Sequence, residues 1–260
     1  MVKIATTYIL CFLFCGIFSK TLFGQTIIAN QEEGTIRIMS YNIRNAKGLD
    51  DVTDYKRIAD IIIKISPDVI ALQEIDSVTN RSKQVDVLAE INRHTNMYAT
   101  YSASIDFDGG KYGIGILSKE KPLSFRRISL PGREEARSLL IAEFEHYIFC
   151  CTHFSLNEED RLASVKIIDE EIAIDKPAFL AGDINALPIS VVIDEFRKNW
   201  AILSEPKQPT FPANNPKETI DYIFGDIKYG RKFSISQSLV MDEPIASDHV
   251  PLFVDVKLKD

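Results

Sequence analysis

Short apolar runs of strand length, each stopped by an acid, an amide or an imidazole, recur from one end of this chain to the other. Thr35 to Tyr41 ends in Asn42, Asp68 to Gln73 in Glu74, and Tyr147 to Thr152 in His153. Further on, Pro177 to Gly182 is followed by Asp183 and Asn185, Asp221 lies inside Thr219 to Phe224, and Asp248 with His249 precedes the last run. A buried strand ends in a polar loop in any case, so one such residue says little. Six such endings point to one mouth assembled from strand termini. Both halves of the chain must then contribute to one domain, and 260 residues that are 45% hydrophobic supply enough apolar mass for its core.

Helical spacing of apolar residues predicts helices over Thr53 to Ile65, Lys83 to Arg93 and Glu158 to Ala173. Pro67 follows the first, Asn157 with three acids opens the third, and Pro188 starts a shorter helix to about Trp200. Strands are expected at Thr35 to Tyr41, Asp68 to Gln73, Gly113 to Ser118, Leu123 to Leu130, Ser138 to Phe144 and Tyr147 to Thr152. Four more are expected at Ala178 to Ala181, Ile220 to Phe224, Phe233 to Ser238 and Leu252 to Leu258. Four consecutive strands between Gly113 and Thr152, flanked by segments where helices and strands alternate, predict mixed sheets with helices outside, an α/β layered sandwich.

The first 24 residues read differently. Lys3, an apolar stretch from Ile4 to Phe18 and a small residue at Gly24 describe a secretory signal peptide over 1–24, cleaved before Gln25. The alternatives are an uncleaved anchor or a buried first helix, but the apolar run is short of the roughly 20 residues a bilayer span needs. A secreted or periplasmic, monomeric domain over 25–260 with no transmembrane anchor is expected. The formal net charge is −7, and removing the leader takes away Lys3 and Lys20 but no acid. An acidic surface disfavours, without removing, a nucleic-acid partner held by phosphate neutralisation. Of four cysteines, Cys150 and Cys151 remain; adjacent strand residues face opposite ways, so packing roles are expected.

The polar endings carry hydrolytic chemistry. Glu74 is an oxygen ligand suited to a hard cation such as Mg²⁺, or else a solvated strand end. Asn42 can contact metal or substrate through its amide, or favour a turn. Asp183 and Asn185, two apart after Gly182, could orient a water and donate to an oxyanion, or form an Asx turn. Asp248 and His249 diverge as neighbours, which leaves Asp248 free for metal or water and requires a separate carboxylate, Asp221, to hold the His249 tautomer. His153 could bind a substrate oxygen or protonate a leaving group, although no carboxylate is its evident partner. Arg137, after Glu134 and Glu135, is either an ion-pair residue or a fork for phosphate.

Taken in order, MSYNIR at 39–44, PDVIALQE at 67–74, CTHF at 151–154, GDIN at 182–185, TIDYIF at 219–224 and SDHVPL at 247–252 resemble the endonuclease/exonuclease/phosphatase superfamily. The resemblance implies a four-layer α/β/β/α sandwich, two mixed β-sheets face to face with helices outside, and Mg²⁺ or Mn²⁺ as cofactor. It implies Glu74 as main metal ligand with Asn42 beside it and Asp248 near the metal. Asp183 and Asn185 would align water and phosphate, and His249, held by Asp221, would serve as general base or phosphate-binding imidazole. His153 fits the deoxyribonuclease and sphingomyelinase side of the superfamily, and Arg137 sits where deoxyribonuclease-like members place an arginine on phosphate.

Thr219 departs from the pattern, since many members carry an arginine there. The reaction expected is metal-dependent hydrolysis of a phosphoester by activated water, on a small, lipid or sugar phosphate. A secreted endonuclease acting on DNA or RNA is the alternative, and a non-catalytic binding module on the same fold is a third.

Overall fold

The computed structural model describes residues 28–172 and 176–259, and the expected signal peptide lies outside them. The first half runs β1 (Ile36–Asn42), α1 (Tyr55–Ile65), β2 (Val69–Ser77), α2 (Val87–Thr95), β3 (Tyr98–Phe107), β4 (Gly110–Ser118), β5 (Ser124–Leu130) and β6 (Arg137–Glu143). The second half runs β7 (Ile148–His153), α3 (Glu158–Glu171), β8 (Ala178–Asp183), α4 (Val191–Phe196), β9 (Trp200–Ile202), β10 (Asp221–Asp226), β11 (Lys232–Val240) and β12 (Leu252–Lys259).

These strands form two six-stranded sheets, ordered β11-β12-β1-β2-β4-β3 and β5-β6-β7-β8-β10-β9. Each sheet has one parallel pair at its centre, β1 with β2 and β7 with β8, joined by a helical crossover, and antiparallel strands outside it. The period-2 alternation of side chains splits each central strand between two apolar layers. Ile38, Val69 and Ala71 of one sheet meet Leu140, Cys151 and Ala181 of the other between the sheets. Met39, Ile70 and Leu72 face α1 and α2, which contribute Ile58, Ile62, Leu88 and Ile91. On the far side Leu139, Cys150 and Leu180 face α3 and α4, which contribute Val165, Ile168, Val192 and Phe196. The result is the expected four-layer α/β/β/α sandwich, with Cys150 and Cys151 in different layers and both thiols free.

Several boundaries shift for local reasons. The first helix starts two residues late because Asp54 caps it, accepting from Arg57 N at 2.9 Å. The second starts at Val87 with Asp86 as cap, because Lys83 and Gln84 lie in the left-handed region, φ 56° and 63°. Ser190, not Pro188, opens α4, which ends at Phe196 and leaves Trp200 in a short strand. The four strands expected in succession divide between sheets: β4 lies in the first, while β5, β6 and β7 lie in the second. Strand β3 is an addition, paired with β4 through a tight turn at Asp108 and Gly109, φ 45° and 81°.

Both parallel pairs end at the same rim. Asn42, Glu74, His153 and Asp183 lie at or near the C-terminal ends of β1, β2, β7 and β8. The antiparallel strand β10 begins there with Asp221, and the segment bearing Asp248 and His249 enters β12 beside the end of β1.

Candidate active site

Sheet register sets the first row of the site. His153 pairs with Asp183, and Asp183 with Asp221, so three chemically active side chains stand side by side at the end of the second sheet. The rows can approach because residue 182 has no side chain: a Cβ on Gly182 would lie 2.0 Å from the Thr152 carbonyl oxygen. The first sheet supplies Asn42, whose Nδ2 donates to Glu74 Oε1 at 2.9 Å and Asp183 Oδ2 at 3.2 Å, bridging the two sheets.

Glu74 reaches this bridge through a bulge. The β2 register with β4 slips between Leu72 and Ile75, and Glu74 takes φ 60°. The slip leaves Gln73 pointing between the sheets towards Cys151 while Glu74 faces the rim. A non-glycine residue in the left-handed region is held there against its preference, a strain common where a side chain must be aimed.

His249 is the most firmly oriented group. Its Nδ1 lies 2.8 Å from Asp221 Oδ2, the same oxygen that accepts from Thr210 Oγ1 at 2.5 Å, and the Phe211 ring packs 4.8 Å away centroid to centroid. Its Nε2 is left 3.7 Å from Asp183 Oδ2. Burial works against the His249 cation, but the Asp221 carboxylate outweighs it and raises the imidazole to about 10. His153, with Nε2 3.6 Å from the same Asp183 oxygen, is driven the other way. Burial, reinforced by Arg137 3.3 Å from Nδ1, holds it well below the ordinary histidine range. Burial first, then the neighbouring Asp221 charge, lifts Asp183 above the usual carboxylate range. Burial raises Glu74 also, against the Asn42 hydrogen bond.

Asn185 does not continue an extended chain beside Asp183. It turns at φ 51°, its N–H donating to Asp183 Oδ1 at 2.9 Å and its amide to the Phe154 carbonyl at 3.0 Å, so the Asx turn and the rim position coexist. Arg137 takes the ion-pair place of its two readings. It is buried, pairs with Glu135 at 2.9 Å, and leaves Nε without a partner. Asp248, about a third exposed at its side chain, lies 3.7 Å from Arg44. A cleft of about 440 Å³ is lined by Glu74, Arg137, His153, Asp183, Asn185, Asp248 and His249 together with Tyr112, Glu135, Leu156, Leu187, Phe211, Glu218 and Ile220. Asn42 and Asp221 lie behind this lining, fully buried.

Thr219 does structural work instead: its hydroxyl donates to the carbonyls of Pro206 and Gln208, tying down the segment that carries Thr210. Sequence reading missed Thr210 and Phe211, for which no local pattern exists; their place follows from the Phe211–Glu218 bridge that folds the segment back onto His249. Asp183, Asp221 and His249 have ligand atoms within 4.8 Å of one another and could hold a metal. Asp221 Oδ2 is already engaged by His249 and Thr210, however, whereas the Glu74 carboxylate pairs with no cation among the described residues.

The sequence pattern of the endonuclease/exonuclease/phosphatase family matches residues 39–249, which contain every residue of this cleft. No curated protein matches the chain. Among solved structures, a family protein from Beutenbergia cavernae DSM 12333 superposes with TM-score 0.73 at 21% identity, over 86% of this chain and 72% of that one. A mannosyl-6-phosphatase of Bacteroides thetaiotaomicron VPI-5482 gives 0.66 at 18% identity, over 86% and 100%. The catalytic domain of human Nocturnin gives 0.66 at 18%, over 89% and 96%. The architecture is therefore shared at identities where sequence alone has drifted far, and the family pattern spans most of the chain. The chain belongs to the endonuclease/exonuclease/phosphatase family, whose members are phosphoesterase-type hydrolases.

Proposed function

We propose that this chain hydrolyses phosphodiester bonds with a divalent metal, Mg²⁺ or Mn²⁺, in a secreted or periplasmic setting. One observation carries the reading: Asp183 Oδ2 lies 3.6 Å from His153 Nε2 and 3.7 Å from His249 Nε2, with Asp221 fixing the second ring. A carboxylate raised towards neutrality and two imidazoles with opposed protonation surround one small space, the arrangement that acid–base chemistry at a phosphorus centre requires.

Glu74, with Asn42 beside it and Asp248 across the cleft, would hold the metal. The fit rests on Glu74 itself, a mostly desolvated carboxylate aimed by a strained bulge and lacking a cationic partner among the described residues. When bound, the metal would supply positive charge against the phosphoryl oxygens.

The remaining roles follow from the protonation states. Asp183 takes the proton of the attacking water, which Asn185 helps to orient. The water oxygen forms the new bond to phosphorus as the bond to the leaving oxygen breaks. His249, kept cationic by Asp221, donates to the phosphoryl group from Nε2 instead of acting as base. Neutral His153 would contact another phosphate oxygen, and buried Arg137 would add positive charge on that side of the cleft. Glu135, Glu218 and Asp248 at the mouth favour a small ester over a long polyanion such as DNA or RNA.

The test is hydrolysis of bis(4-nitrophenyl) phosphate with Mg²⁺ or Mn²⁺, with EDTA, and with Glu74→Gln and His249→Ala. Loss of turnover in all three of the latter supports the reading. Turnover that survives EDTA and both substitutions overturns it, and a folded wild type without turnover on any phosphodiester would favour a binding module.

A further inference from the structure

The layer between the two sheets is closed on one flank and open on the other. At the edge strands β11 and β9, Phe233 and Leu203 pack into that layer, the Phe233 ring 5.5 Å from the Phe179 ring centroid to centroid. At the opposite edge strands, β3 and β5, a cleft of about 550 Å³ enters between the sheets instead. None of its lining residues belongs to the catalytic cleft.

Small residues keep this flank open. Tyr101 packs on the helical side of the first sheet, so strand alternation turns Ser102 towards the second. Ser104 also faces that way, its hydroxyl 2.7 Å from that of Ser138. From the second sheet, Phe125 and Arg127 pair in register with Ala142 and Leu140, which belong to the inter-sheet layer, so both side chains turn to the cleft. Phe125 is 62% exposed there, over the buried Leu140. Ser102 is 3% exposed and its hydroxyl has no hydrogen-bond partner, which is rare for a buried polar group. Of the cations in the lining, Lys111 is paired with Asp106 and Arg126 with Glu171. Arg127 has no carboxylate partner among the described residues; its Nη1 donates to Ser129 Oγ at 3.3 Å and its Nη2 to the Ser104 carbonyl at 3.5 Å, both neutral and long. One positive charge is left over, which suits a monoanion.

We propose that this cleft is a second ligand site, which takes a small aromatic carboxylate, its ring against Phe125 and Leu140 and its carboxylate on Arg127, with the Ser102 hydroxyl as a further donor. The ring takes the place in the inter-sheet layer that Phe233 fills on the opposite flank. The carboxylate gives the Arg127 fork a charge-assisted partner in place of two neutral ones. No phosphoester chemistry is involved, so the site stands or falls apart from the phosphoesterase reading.

Amide NMR titrations with 3-phenylpropionate, its neutral analogue 3-phenylpropanamide and propionate test the site. 3-Phenylpropionate at millimolar concentration should shift the signals of Ser102, Ala103, Ser104, Phe125 and Arg127. It should bind there about 10-fold more tightly than the amide, through the charge-assisted contact, and about 10-fold more tightly than propionate, through burial of the ring. In Arg127→Gln the first ratio should fall below about 3-fold, and in Phe125→Ala the second should drop by about 3-fold or more. Both side chains are exposed, so both variants should keep the wild-type spectrum away from this flank. No shift on the flank, shifts confined to the catalytic cleft, equal affinity for acid and amide, or a preference for the acid that survives Arg127→Gln would each overturn the proposal.

Discussion

Asp221 sets the charge of His249, and the consequence can be worked out with its sign. The folded imidazole titrates near 10, above the ordinary value of about 6.5. This pair therefore contributes stability that is fully present below about pH 6.5 and is lost as pH rises through 10. In Asp221→Asn the burial of His249 is no longer opposed by that charge, so NMR titration of the ring should show a value below about 6.5. Phosphodiester turnover at neutral pH should fall by about 10²-fold or more. A ring that still titrates well above its ordinary range would assign the effect to Asp183 instead. Thr210→Val removes the second donor to the same oxygen. Because a hydrogen bond to a buried charge contributes about 1.5–3 kcal/mol, chemical denaturation should show a loss of that size. The His249–Asp221 pairing was legible in the sequence because neighbours on an extended chain diverge, which ruled out Asp248 as the partner. Thr210 was not legible, since its distance from Asp221 closes only through the turn at Phe211 to Glu218.

At the scale of elements, what could be read was whatever a local period encodes. The isoleucines of α1 announce a helix by spacing, and the apolar runs of β2 and β8 announce buried parallel strands. Strand β3 stayed hidden because Ser102, Ala103 and Ser104 give it little apolar alternation, although the Asp108–Gly109 pair after it is a hairpin signal. The Glu74 bulge was hidden for a different reason: nothing local marks a register slip, and without it Glu74 would alternate with Gln73 but not reach Asn42. The tightest element-level constraint is the approach of β7 to β8 at Gly182. Gly182→Ala would push a methyl into the Thr152 carbonyl and separate His153 from Asp183. Overpacking of this kind typically costs about 1–3 kcal/mol. The variant should unfold earlier and lose turnover together, whereas a stable variant with full activity would mean that the row does not need its close spacing.

At the scale of the molecule, the site sits where two sheets meet, so four carboxylates from four segments are forced together by the sandwich itself. Glu74 and Asp183 are both raised by burial, and each costs stability when ionised. A carboxylate whose folded value lies above its unfolded one favours the protonated native state, so this cost is absent in acid and grows as pH rises. A divalent cation replaces the protons and cancels the cost, which makes its binding pH-dependent with a known sign. At 100 times its dissociation constant a ligand stabilises the native state by about 2.7 kcal/mol. For a chain of this size that corresponds to a rise in melting temperature of about 5–10 °C. Calorimetric scans with Mg²⁺ against EDTA should show the larger rise near pH 8 and a smaller one near pH 5, where protons compete. Glu74→Gln separates the metal from the rest of the cluster: it removes the desolvated charge, so without metal it should melt at or above the wild type near pH 8, and it should lose most of the Mg²⁺ response. An equal Mg²⁺ response in wild type and Glu74→Gln would move the metal to the Asp183, Asp221 and His249 cluster, and with it the division between the groups that bind the cation and those that move the proton.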